Sequence, residues 1–229
     1  MRWRKLDYPR LQATSRPTSA SPVAGRRVAL EVCSFSDLIV PGTTDGLDHN
    51  VVLRLNCCRL FTDHVMDTVH LGRHHDGRNL LVYNYIMSDS SVWERLGKEM
   101  GPFFLALDAT RIPTIRLLCK HGRHRSLGTA TALATLLDAM GLICSLYVWD
   151  GPDRGRPSRL CTRCRCGDGD SSCANACNAL VFRDAVSLRL SEFTDGMIQF
   201  LKHDSIALSE ESRQRLEDIC DWEDLYFDA

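Results

Sequence analysis

The sequence predicts an α/β fold: a mainly parallel sheet with helices on both faces, a Cys-rich insertion and C-terminal helices. Three observations lead there. Short apolar strand-like runs alternate with helical stretches between residues 27 and 150, the pattern of a covered parallel sheet. Turn and stop signals separate the runs: Pro41-Gly42, Asp76-Gly77 and Gly141. The composition, 44% hydrophobic and 25% charged, is that of a globular chain able to bury a core.

The elements follow in order. Residues 1–26 read as a disordered basic tail. Residues 1–27 carry seven Arg or Lys against Asp7, a balance of 7 − 1 = +6. That composition also fits an organellar transit peptide. Order begins with a strand over Arg27–Phe35, and Leu38-Ile39-Val40 is a short apolar run. A second strand spans Val51–Cys57. Asn79 caps a helix reaching Tyr85, and Asp89 with Ser90 caps a longer one from Val92 to about Ala109. Pro113–Cys119 is a strand, Ser126–Met140 a helix rich in Ala and Leu, and Ile143–Trp149 the next strand. This α/β domain covers 27–150, the Cys-rich insertion 151–178, and C-terminal helices packing on the domain 179–229. The helices are expected over 179–203 and 209–220. Residues 204–229 carry nine acids against Arg213 and Arg215, a balance of 2 − 9 = −7, so the chain ends acidic. The formal net charge is only −1, which gives no global electrostatic case for nucleic acid.

The chemistry concentrates between strand and helix, in Cys119-Lys-His-Gly-Arg-His-Arg-Ser126. A helix N-terminus offers amide N–H groups and the positive end of a dipole, which together suit a phosphate. Lys120, His121, Arg123, His124 and Arg125 add cationic or polar side chains. Gly122 lets the backbone curl around an anion, and Ser126 adds a hydroxyl. Like charges packed so densely repel one another unless an anion sits among them.

The spacing Cys-x-x-Gly-x-x-Arg-Ser resembles the signature of cysteine-dependent phosphatases. That resemblance implies Cys119 as a nucleophile with a lowered pKa, Arg125 as phosphate clamp and Asp89 as general acid. Leu118 stands where those enzymes usually carry His. A wider resemblance, over about residues 28–150, is to the C-terminal domain of RapZ-type proteins. It rests on Arg123-His124-Arg125-Ser126, on Arg59 at a strand end, and on the stretch from Leu71-Gly72 through Val82, Tyr85 and Ile86. The match departs at Cys57, at Thr62–His64 and at His121. It implies binding of a phosphorylated small molecule, such as a sugar phosphate or nucleotide, by a sensor or regulatory domain. It also implies Arg59 as a further phosphate contact and RNA as a partner. The chain contains no Gly-x-x-x-x-Gly-Lys-Ser/Thr.

Two other clusters stand out. Cys161, Cys164, Cys173 and Cys177 can supply four thiolates to a structural zinc, leaving Cys166 spare. His64, His70, His74 and His75, with Arg73 and Arg78, form a loop that either leans over the anion site or is plain surface. The eleven cysteines are an odd number, and no signal peptide precedes them. A reducing, cytoplasmic setting is therefore the expected localisation. No apolar run is long enough to span a membrane. An oligomer is compatible with the sequence.

Overall fold

The computed structural model describes residues 3–9, 23–35, 50–61, 77–107, 112–120, 122, 124–149, 183–203 and 208–227. Five strands form one sheet: β1 (Trp3–Leu6), β2 (Arg27–Ser34), β3 (Val51–Asn56), β4 (Thr114–Cys119) and β5 (Ile143–Trp149). Their order is β1-β5-β2-β4-β3. All pairs are parallel except β1 with β5. The α/β class and the mainly parallel sheet are those the sequence predicts.

The central strands are buried on both faces, which is why they read as mostly apolar runs, Glu31 and Arg116 apart. Every residue of β4 is buried, and every residue of β2 but Arg27. Side chains alternate across the sheet. Leu30, Val32, Leu55, Ile115, Leu117, Leu146 and Val148 enter the main core. Cys33, Leu118 and Trp149 form a second cluster on the opposite face, with Trp3 and Phe35 packed against it. That face also holds a charged pair the strand pattern gives no hint of. The Arg116 guanidinium donates to one carboxylate oxygen of Glu31, at 3.0 Å from Nε and 2.8 Å from Nη2. The Trp3 ring lies 5.8 Å from the guanidinium carbon, within cation–π range.

Six helices complete the described chain: α1 (Cys57–Leu60), α2 (Leu80–Ser88), α3 (Ser90–Leu105), α4 (Arg125–Ala139), α5 (Arg183–His203) and α6 (Glu210–Phe227). α4 is apolar all round and accordingly central: only Arg125 and Asp138 escape full burial. Its threonines hide their hydroxyls by donating to backbone carbonyls, Thr129 to Arg125 at 2.7 Å and Thr131 to Leu127 at 2.8 Å. α3 and α5 cross at backbone contact. A Cβ on Gly97 would sit 1.8 Å from the Phe193 carbonyl oxygen, and one on Gly196 1.9 Å from that of Glu94. The C-terminal helices thus pack on the domain, α6 reaching both α5 and α3.

Two expectations are revised. Residues 3–9 are no tail. β1 pairs with β5, Trp3 packs edge-on to Trp149 at 5.2 Å, and the Pro9 carbonyl accepts from the Thr135 hydroxyl at 2.9 Å. The open edge of β5 orders a four-residue strand whose own composition signals nothing. Of the helices expected on the two faces, those among the described residues all contribute to the main core cluster. The steps β3 to β4 and β4 to β5 move the same way across the sheet, and right-handed crossovers then share a face. Helix ends also move: α2 continues to Ser88, α3 starts at Ser90 and stops at Leu105, and α6 extends to Phe227. The run 38–40, the insertion 151–178 and His64, His70, Arg73, His74 and His75 lie outside the described residues.

Candidate functional site

Two connections leave neighbouring strands in opposite directions. From β2 the chain goes to β3, beyond β4; from β4 it goes to β5, beyond β2. Between such strands the carboxyl ends open into a crevice, where open α/β sheets take ligands. The loop predicted from sequence begins at this point. The Phe35 N–H, just after β2, donates to the Cys119 carbonyl at 3.2 Å and ties the crevice walls together.

Cys119 ends β4 with 5% of its surface exposed. Lys120 is exposed. The chain then turns at Gly122, whose φ of 57° is left-handed and costs glycine little. The Gly122 N–H returns to the Cys119 carbonyl at 3.3 Å. His124 is the N-cap of α4, and its side chain makes no capping hydrogen bond. Its carbonyl accepts from the Gly128 N–H at 2.8 Å, which starts the helix. Arg125 opens the first turn, half-buried. Ser126 is fully buried, its Oγ 3.1 Å from the Cys119 Sγ. His121 and Arg123 lie outside the described residues.

Other predicted residues are placed differently. Arg59 lies in α1, which directly follows β3, so it shares the carboxyl edge of the sheet with the loop. Its charge is felt by Glu99: partial burial raises the Glu99 carboxyl above its ordinary range, and Arg59 and Arg95 pull it back. Asp89 caps α3. Its carboxylate accepts from the Ser91 N–H at 3.1 Å, the Ser91 hydroxyl at 2.7 Å and the Tyr85 hydroxyl at 3.2 Å. The first turn of α4 meets Gly77, just before the start of α2, and Asp89 follows the other end of α2. Ile86, three residues before Asp89, packs on Gly128 in the same turn of α4.

Sequence reasoning passed over several residues that shape the site. A Cβ on Gly77 would lie 2.2 Å from the Gly128 nitrogen and 2.3 Å from the His124 oxygen. The 77–78 turn therefore presses directly on the first turn of α4. Gly128 answers it with Ile86 and Val82 close against its Cα. A glycine inside an otherwise excellent helix former was the available signal, because it costs about 1 kcal/mol relative to Ala and implies a packing reason. Cys57 entered only as a strand end and as a departure from the RapZ-type pattern. It is fully buried beside the loop, and burial pushes its thiol well above the ordinary range, with the neighbouring Cys119 adding to the rise. An open cleft elsewhere, lined by Leu53, Arg95, Lys98, Glu99, Pro102 and Phe200, shares no residue with the loop.

Among the described residues no group of three or more His, Cys, Asp or Glu is placed to hold a metal. The four cysteines expected to bind zinc lie outside the described residues. No described helix is long and apolar enough to cross a membrane. The chain matches no family model, no curated protein and no solved structure.

Proposed function

We propose that the chain binds a phosphorylated small molecule, a sugar phosphate or nucleotide, at the 119–126 loop and acts as a sensor or regulatory domain of the RapZ C-terminal type. One observation carries the reading: the cationic loop and the start of α4 stand at the carboxyl ends of β2 and β4, from which the chain leaves in opposite directions. The dipole of a 15-residue helix, the turn at Gly122, and Lys120 and Arg125 then converge on one anion. RNA, the partner implied by the same resemblance, has only the local basic loop in its favour.

Phosphate should raise the melting temperature by mass action on the folded state, about 2.7 kcal/mol at a hundredfold excess over Kd. Arg125→Ala should remove most of that gain. Equal shifts in wild type and variant would overturn the assignment.

A second reading is hydrolysis through Cys119. The Sγ–Oγ contact with Ser126 favours it, since a hydroxyl at 3.1 Å stabilises a thiolate. Leu118, standing where cysteine-dependent phosphatases usually carry His beside the nucleophile, weighs against it. Aryl phosphate hydrolysis should accordingly be weak or absent, and Cys119→Ser should keep its affinity for phosphate. Robust turnover that vanishes in Cys119→Ser would promote the enzyme over the sensor.

A further inference from the structure

The parallel pairing of β3 with β4 runs to Asn56 opposite Leu118. The next residue along each segment is a cysteine: Cys57, which opens α1, and Cys119, which ends β4. Neighbouring strands lie about 4.8 Å apart, inside the Cα separation of about 4.4–6.8 Å that a disulfide needs. Both belong to the main core cluster together with Leu55 and Leu117. α4 confirms the adjacency from above. Ser126 Oγ meets the Cys119 sulfur, and the Thr129 hydroxyl meets the Cys57 thiol. Ser126 and Thr129 are three residues apart, hence neighbours on the same helix face. Both cysteines are free.

We propose that Cys57 and Cys119 are an oxidative modification site, joined reversibly as a disulfide when the protein meets hydrogen peroxide. Cys119 is 5% exposed at the loop and Cys57 is sealed, so the oxidant reaches Cys119 first. Peroxide transfers one oxygen to the Cys119 thiol, giving a sulfenic acid and one water. The Cys57 sulfur then attacks the Cys119 sulfur. The S–O bond breaks, the S–S bond forms, and the hydroxyl leaves as a second water with the Cys57 proton. Two thiols and one peroxide become one disulfide and two waters. Two small-molecule thiols reduce it again through a mixed disulfide, restoring both cysteines and leaving joined as their own disulfide. The bond pulls the Cys119 sulfur away from Ser126 and ties the start of the loop to α1. Cys58 is the competing partner. It is half-buried, and its N–H is held by the Asn56 side chain at 3.1 Å.

The inference stands on thiol geometry alone and is independent of anion binding. Its test uses the full chain, exposed to peroxide, quenched with iodoacetamide and digested with trypsin without reduction. The expected product is the peptide Leu55–Arg59 linked to Leu117–Lys120, in wild type and in Cys58→Ser, and lost on treatment with dithiothreitol. In Cys57→Ser the link should vanish, and Cys119 should proceed to sulfinic acid. A linked peptide absent from oxidised wild type would overturn the proposal. So would a link that persists in Cys57→Ser and disappears in Cys58→Ser. Should Cys57→Ser fail to fold, wild type and Cys58→Ser still decide the matter.

Discussion

Gly77→Ala is the most informative single change, because the added methyl meets backbone rather than a side chain that can swing aside. Its Cβ would stand 2.2 Å from the Gly128 nitrogen, 2.3 Å from the His124 oxygen and 2.9 Å from the Leu127 carbonyl carbon. Ordinary contact begins at 3.4 Å, so the turn must retreat by 3.4 − 2.2 = 1.2 Å. A gap of about 0.5–1 Å already forfeits a quarter to a half of each dispersion contact. The retreat loosens Gly77 from α4 and strains the packing of Val82 and Ile86 over Gly128. The expected cost is about 3 kcal/mol, the upper end of ordinary overpacking. Gly77 does not have a positive φ, so this cost is steric. Gly25 supplies the contrast: its φ is 77° and a Cβ there meets nothing within 4 Å. Gly25→Ala should cost about 1–2 kcal/mol, from backbone conformation alone. Urea denaturation followed by circular dichroism measures both. A Gly77→Ala variant within about 0.5 kcal/mol of wild type would show that the turn does not bear on α4.

Three further outcomes are expected. Arg116→Met should destabilise by about 3–5 kcal/mol because it strands the buried Glu31 carboxylate, while Glu31→Leu with Arg116→Met should cost far less; equal losses in denaturant titrations would contradict the buried pair. Above the ordinary thiol value of 9.0 the unfolded chain releases the Cys57 proton that the folded chain keeps, so stability falls as pH rises. Cys57→Ala should flatten the slope between pH 9 and 10, and parallel wild-type and variant curves would refute this. Purified protein should contain about one equivalent of zinc, lost in Cys161→Ser with Cys164→Ser, and finding no metal in protein prepared without chelator would exclude the site.

The chain itself determined every central strand, because residues buried on both sheet faces must be mostly apolar in succession, and Val28–Val32 and Ile115–Leu118 read that way unaided, Glu31 and Arg116 apart. It also determined the loop, since Gly122 and the cations beside it are local features at the junction of strand and helix. Asp89 was legible as the cap of α3 for the same local reason. What only the tertiary structure decided depends on contacts distant in sequence. The order of the strands places the loop at the carboxyl ends of β2 and β4, and no periodicity encodes that order. Trp3–Leu6 becomes a strand because β5 offers an edge 140 residues away, not because its composition favours one. Glu31 finds Arg116 and Cys57 finds Cys119 through lateral neighbours in the sheet, and lateral pairing leaves no mark on either strand alone.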